Sequence, residues 1–413
     1  MSRDHAEYIE TLRDRVEEER GDEIAEADAE RILEFSDQLY LLKSSYSDAR
    51  HEKLLRHIVR IAEHVGGVAE ALEDRDAAEE IVRWINRTYD NEETNRDYRV
   101  GFRVFAQKVT DGDDVPDSVD WVPATTSSNY DPAPKPSEML HWEEHVQPML
   151  EECQNVRDRA MIALQWDAGL RGGEFKSLTY GDVTDHTHGL QVTVDGKQGR
   201  RTVTLIPSVP YVTRWLADHP TSEPDDPLWC SLHRPFVKPT DRALTSAIAS
   251  VAERAGVERP VTLTNFRKSS ASYLASQGMS QAHLEHHHGW VTGSTAAARY
   301  IAVFADAADN ELARIHGRDV SETEPDPVGP VECPRCGEDT PREREFCLHC
   351  SQALDPTANE QLETLTRALE DRAVAEGDSR LLDAAREARE RPASALADDS
   401  VQTFLTSESE SED

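Results

Sequence analysis

The chain has 413 residues, with 80 Asp+Glu against 45 Lys+Arg and a formal net charge of -35. That length exceeds one ordinary core, so two or three folded units are expected. No apolar run approaches the roughly 20 residues a membrane span needs. The N-terminus (Met1, Ser2, Arg3, Asp4, His5) opens into charged helical sequence and not into a signal peptide, so a soluble cytoplasmic protein without a membrane partner is expected.

Composition alone favours an acidic protein with no nucleic-acid partner, because phosphate contacts need Lys and Arg. Two features weaken that reading. Only eight of the 45 basic residues are lysines, and many carboxylates with few lysines resemble the surfaces of proteins from salt-in halophiles. At molar salt the Debye length is about 3 Å, so distant carboxylates repel a phosphate backbone weakly and close contacts decide. The charge is also uneven: residues 137–318 carry 18 Lys+Arg against 22 Asp+Glu, whereas 353–413 carry 6 against 16.

In chain order, residues 1–110 read as a helical domain of four or five helices. Apolar residues recur at spacings of three and four (Ile32, Phe35, Leu39, Leu42; Leu54, Leu55, Ile58, Ile61, Ala62), with Gly66–Gly67 and Asn91 as punctuation. Residues 111–136 hold five prolines and no apolar period, the composition of an extended linker. Residues 137–318 are mixed, with helices expected over 138–151, 155–168, 241–255, 265–277 and 294–313. Gly169 and Gly278 stand where helices end. Between them, Leu190–Val194 and Arg201–Ile206 alternate about Asp195–Gly196, the pattern of a β-hairpin. A cysteine-rich segment follows at 331–352, and 353–413 reads as an acidic helical tail ending in SESESED. The fold class expected is mostly α, with an α+β catalytic domain carrying a short sheet.

Four segments of 137–318 carry chemistry together. They are Gly169-Leu170-Arg171-Gly172-Gly173-Glu174, Asp195-Gly196-Lys197-Gln198-Gly199 at the hairpin turn, Thr264-Asn265-Phe266-Arg267-Lys268-Ser269, and Gly289-Trp290 followed by Tyr300. In this order they resemble the tyrosine recombinase (phage integrase) family, here of archaeal type. The family's corresponding patterns are G-L-R-x-x-E, a β-hairpin lysine, H-x-x-R, and G-[HW] ahead of a nucleophilic tyrosine. The resemblance covers roughly 180 residues, and the helical segment 1–110 matches the DNA-clamping core-binding domain that precedes the catalytic domain in that family. It implies a site-specific recombinase or integrase that cleaves and rejoins double-stranded DNA at specific sites through a 3′-phosphotyrosyl intermediate. It also implies assembly as a homo-tetramer on two duplexes. Arg171 and Arg267 become the catalytic arginines, Tyr300 the nucleophile and Lys197 the hairpin lysine.

The chemistry is coherent without the family. In-line attack on a phosphodiester builds negative charge on the non-bridging oxygens, and two guanidiniums can clamp it with no metal. A phenol of pKa near 10 needs that cationic site and a proton acceptor. The departing 5′-oxygen needs a proton, which a lysine on a hairpin can give. A covalent intermediate conserves the energy of the broken linkage, in keeping with the lack of a G-x-x-x-x-G-K-[ST] loop.

Two positions depart from the family pattern. Thr264 stands where the family usually has histidine, and its hydroxyl can hydrogen-bond a phosphate oxygen but is no base at neutral pH. Trp290 can donate its indole N–H but accepts no proton. The acceptor of the Tyr300 proton is open; His288, within His286-His287-His288, is one candidate, and a partly exposed helix end is the plainer reading of that run.

Cys333, Cys336, Cys347 and Cys350 form C-x₂-C-x₁₀-C-x₂-C, the spacing of a zinc ribbon holding one structural Zn²⁺. All four ligand positions are then protein, so the ion has no part in the chemistry. Cys153 and Cys230 read as ordinary buried residues. Two other readings stand beside the recombinase. One is a catalytically impaired, recombinase-like DNA-binding regulator, favoured by Thr264; the other is a zinc-ribbon protein-interaction adaptor.

Overall fold

The computed structural model describes residues 5–110, 114–196, 199–233, 237–303, 312–313, 315–318, 328–377, 379–390, 392 and 395. The chain forms two compact units, residues 1–132 and 133–413.

The first unit is helical: α1 (His5–Glu18), α2 (Glu26–Leu41), α3 (Asp48–His64), α4 (Arg75–Thr88), α5 (Glu92–Lys108) and the short α6 (Asp117–Asp120). The Ser47 side chain accepts from Arg50 N at the start of α3, and that of Asn91 from Thr94 N at the start of α5. Each oxygen satisfies a first-turn N–H that has no helical partner. Gly66 and Gly67 take φ of +74° and +71° after α3, and the buried Asp28 carboxylate accepts Gly67 N and Ala69 N at 2.8 Å each. The apolar stripes read from the sequence meet in one core containing Ile32, Phe35, Leu39, Leu54, Leu55, Ile58 and Ile61.

The segment expected as an extended linker differs over its first half. Val119 and Val122 are buried in the same helical core. Arg99 donates to the carbonyls of Pro123 (2.6 Å) and Thr125 (3.0 Å), and Arg103 to that of Val122 (2.9 Å). Two apolar anchors and two arginines thus hold a proline-rich strand whose own carbonyls lack secondary-structure partners. None of this shows as a sequence period.

In the second unit, Trp142–Val146 forms a π turn leading into α7 (Gln147–Glu151), where one helix over 138–151 was expected. Pro148 has no N–H to continue an α-helical ladder there. Next come α8 (Val156–Ala168), buried on nearly every face, and α9 (Gly172–Ser177). An antiparallel sheet of β1 (Val183–His186), β2 (Gly189–Gly196) and β3 (Gly199–Leu205) follows. The β2–β3 register pairs Val192 with Val203, Val194 with Arg201 and Gly196 with Gly199, the antiparallel pairing expected of the hairpin. Then come α10 (Val209–Asp218), α11 (Asp241–Arg254), α12 (Leu263–Ser276), α13 (Gln281–His288) and α14 (Thr295–Val303). Strand β1 and helix α13 were not expected. The helix read over 294–313 is described as α14, and residues 304–311 lie outside the described residues.

Beyond this core, β4 (Val331–Glu332) pairs with β5 (Asp339–Thr340). Two helices, Pro356–Glu376 and Ser379–Glu390, follow; Phe346 is buried with their Ala358, Leu365 and Ala388. Tyr211 of α10 donates to Glu343 at 3.1 Å, so the cysteine-bearing segment touches the helical core directly. The SESESED terminus lies outside the described residues. Among the described residues, no helix is long and apolar enough to cross a membrane.

Candidate active site

Helix α8 ends at Gly169, whose φ of +54° places it in the left-handed region. A β-carbon there would also lie 2.6 Å from His288 Cε1 and 3.0 Å from Ser270 Oγ, so glycine is required twice over. The buried Gln165 amide donates to the carbonyls of Leu170 (2.9 Å) and Leu263 (3.0 Å), fixing the loop before Arg171 to the start of α12. Arg171 then precedes α9, and Glu174 in the first turn of that helix reaches back to accept Arg171 N at 2.9 Å.

Glu174 is the hub of the site. Its Oε1 accepts from Arg171 Nη1 (2.8 Å) and Arg201 Nη1 (2.9 Å), and its Oε2 also accepts from Arg201 Nη2 (2.9 Å). Burial alone would push this carboxyl up, but the hydrogen bonds from Arg201 and Arg171 outweigh it and hold the group at about 2.

Three arginines converge on the C-terminal end of α13. Arg201 donates to the carbonyl of His287 (3.4 Å), Arg267 to that of His288 (2.5 Å) and Arg171 to that of Gly289 (2.6 Å). A helix C-terminus leaves its last carbonyls without helical partners and carries partial negative charge, so guanidiniums suit it. Arg267 also donates to the carbonyl of Gly169 at 2.8 Å, which ties the end of α8 to the end of α13. Burial and the neighbouring Arg171 lower the Arg267 guanidinium to about 10, which still leaves it charged at neutral pH.

The nucleophile candidate lies beside this cluster. The Arg267 guanidinium sits 5.3 Å from the Trp290 ring, and Trp290 stacks on Tyr300 with centroids 5.3 Å apart and planes 14° from parallel. Tyr300 is 9% exposed and packs with Ala271, Ala275, Leu284 and Ala297. Burial raises its phenol above the ordinary tyrosine value, against the pull of Arg267 and Arg299.

Of the residues singled out in the sequence, Arg171, Arg267, Trp290, Tyr300 and His288 come together. Thr264 is exposed near the start of α12, on the wall of a cavity of about 540 Å³ shared with Gly172, Lys176 and Arg242. Lys197 lies outside the described residues. The run His286-His287-His288 ends α13, with His286 exposed and His287 half-buried, but His288 itself is fully buried, and burial with the neighbouring His287 and Arg267 holds its imidazole well below the usual histidine range. Its ring contacts Trp290 at 4.8 Å, on whose indole Tyr300 stacks. Arg201 was missed in the sequence. The signal was available, since period-two alternation puts it on the same face of β3 as the buried Val203 and Leu205, where a guanidinium needs a partner.

The sulfurs of Cys333, Cys336, Cys347 and Cys350 all lie within 4.8 Å of one another, with Cys333–Cys350 and Cys336–Cys347 each at 3.7 Å. Metal–sulfur bonds of about 2.3 Å in a tetrahedron put sulfurs about 3.8 Å apart, so the four residues fit one metal ion. Cys153 and Cys230 are buried and lie apart from this cluster.

The site thus sets a buried Arg267 and a half-buried Arg171 on one helix end, beside a tyrosine stacked on Trp290. Residues 141–306 match the model of the phage integrase family. A tyrosine recombinase of Synechocystis sp. is 26% identical over 130 residues, 31% of this chain and 41% of that protein. Tyrosine recombinase XerC of Chlamydia trachomatis serovar L2 is 26% identical over 137 residues, 32% of this chain and 42% of that protein. The chain therefore spans about two fifths of the length of the curated relatives it matches. Among solved structures, the Tn1549 transposon integrase in complex with transposon right end DNA superposes with a TM-score of 0.53 at 12% identity, over 69% of this chain and 99% of that one. A lambda integrase dimer bound to a core site gives 0.50 at 13% identity, over 64% and 92%. Both likenesses concern the fold.

Proposed function

We propose that the chain is a site-specific DNA recombinase, cutting and rejoining double-stranded DNA through a 3′-phosphotyrosyl bond to Tyr300. The observation that carries this reading is the anchoring of Arg171 and Arg267 on successive carbonyls beside the Trp290–Tyr300 stack. Two preorganised guanidiniums there bind the non-bridging oxygens of a scissile phosphate and favour its transition state. Trp290 donates its indole N–H to a phosphate oxygen, and Lys197 on the hairpin turn protonates the departing 5′-oxygen. The exposed Thr264 hydroxyl, on a cavity wall with Gly172 and Lys176 and apart from the Arg267–Trp290–Tyr300 cluster, hydrogen-bonds a flanking phosphate. His288 reads better as packing than as the base: its burial under Gly169 and its contact with Trp290 support a role in seating the glycine turn and the indole.

In this reading residues 1–110 clamp the duplex, 111–136 join the two halves, and 137–318 are catalytic. Four copies assemble on two duplexes. The test is a plasmid carrying two copies of the DNA flanking the gene, incubated in high KCl. Recombinant product with wild type supports the reading; DNA binding with neither product nor covalent adduct favours the regulator instead.

The four cysteines hold one structural Zn²⁺ that folds residues 331–352 and takes no part in the chemistry. A chelator, or Cys347→Ser, is expected to remove about one zinc per chain and to open 331–352 to protease while the catalytic unit keeps its melting transition. Full metal content in Cys347→Ser would contradict this. The acidic, lysine-poor surface is that of a halophile, so the melting temperature should climb steadily with KCl into the molar range. A midpoint indifferent to KCl refutes that part.

A further inference from the structure

We infer that Arg201 is a positioning residue that keeps the phosphate site cationic, by sharing the Glu174 carboxylate that would otherwise neutralise Arg171. The inference rests on the recombinase reading for its DNA arm only.

Arg201 stands on β3, opposite Val194. Its guanidinium makes a two-pronged pair with Glu174 at 2.9 Å on each oxygen and reaches the His287 carbonyl at 3.4 Å. It therefore joins the hairpin, α9 and the C-terminus of α13, the same end that anchors Arg171 and Arg267. Two glycines clear the space. A β-carbon at Gly289 would lie 2.7 Å from Arg201 Cζ and Nε, and one at Gly196 would lie 2.2 Å from Glu174 Oε1. Side chains at either position would break the pair.

The charge arithmetic gives the pair its purpose. Glu174 lies against Arg171 at 2.8 Å, and such a pair alone is neutral. Its carboxylate would then cancel one of the two guanidiniums meant for the substrate. With Arg201 on the other side, three guanidiniums (Arg171, Arg201, Arg267) face one carboxylate, leaving two positive charges for the phosphate. Glu174 keeps its aligning role without costing the site its charge. Arg201 need not touch the substrate to do this; its side chain is 11% exposed.

The test compares wild type, Arg201→Gln, Arg201→Lys, Glu174→Gln and the double variant Arg201→Gln/Glu174→Gln. All are assayed at a temperature where circular dichroism shows each folded. The first readout is the rise in melting midpoint produced by inorganic phosphate over chloride at equal ionic strength, which needs no DNA. The second is the single-turnover rate of adduct formation on saturating DNA. Arg201→Gln should lose most of the phosphate effect and about tenfold or more in rate. Arg201→Lys should retain part of both. The double variant, whose remaining arginines carry the same two charges as wild type, should recover well above Arg201→Gln. A merely structural role predicts that folded variants bind phosphate and cleave alike. Wild-type behaviour in Arg201→Gln, or a double variant no better than Arg201→Gln, overturns the inference. If wild type forms no adduct at all, the recombinase reading falls and the phosphate arm still decides the role of Arg201.

Discussion

Tyr300→Phe is expected to abolish covalent attachment to DNA while leaving binding close to wild type. The phenol oxygen is the only atom lost, and the ring contributes its packing through faces that phenylalanine keeps. Those contacts are the stack on Trp290 and the apolar surround of Ala271, Ala275, Leu284 and Ala297. Affinity comes instead from phosphate contacts, which this change does not touch. A gel shift and an SDS-quenched adduct assay on the same protein separate the two. Adducts persisting in Tyr300→Phe would place the nucleophile elsewhere. Because burial raises the Tyr300 phenol, attack by the wild type should quicken as pH rises above neutrality, once bound DNA presents the phosphate.

The second large effect is at Arg267. Arg267→Gln removes a buried guanidinium that reaches the carbonyls of Gly169 and His288 and lies over Trp290. A single charged donor lost from such a site costs on the order of 10²–10³ in rate. Here the loss of an anchor between α8 and α13 adds to it, with about 1–3 kcal/mol of unfolding free energy for carbonyls left buried. Arg267→Lys returns the charge but not the planar fork, so it should recover stability better than rate. Adduct formation in Arg267→Gln within about threefold of wild type would remove Arg267 from the chemistry.

What the sequence made legible follows physical range. Gly169-Leu170-Arg171 could be read because its constraints are local: a helix end, a left-handed glycine and a first-turn carboxylate three residues on. The β2–β3 hairpin was legible through alternation, and the four cysteines through spacing. Helix α13 was not: eight residues with only Ala282 and Leu284 as apolar points give no stripe, and its end is completed by arginines from β3, α12 and the loop before α9. Strand β1 has no alternation of its own and exists through its pairing with β2. The segment 115–125 looked like a linker because its anchors, Arg99 and Arg103, belong to α5. Arg201 was the instructive omission: the pattern that located the hairpin also put this residue on its buried face.

The central claim is the covalent step at Tyr300, and the most direct test is to find the bond. Wild type would be incubated in high KCl with DNA flanking the gene, quenched with SDS, digested with nuclease and trypsin, and analysed by mass spectrometry. Trypsin cuts after Arg299 and Arg314, so the diagnostic peptide runs from Tyr300 to Arg314 and contains a single tyrosine. A nucleotide joined through its 3′-phosphate to that peptide is the predicted result. A nucleotide on any other peptide, or strand cleavage with no protein attached, would contradict it.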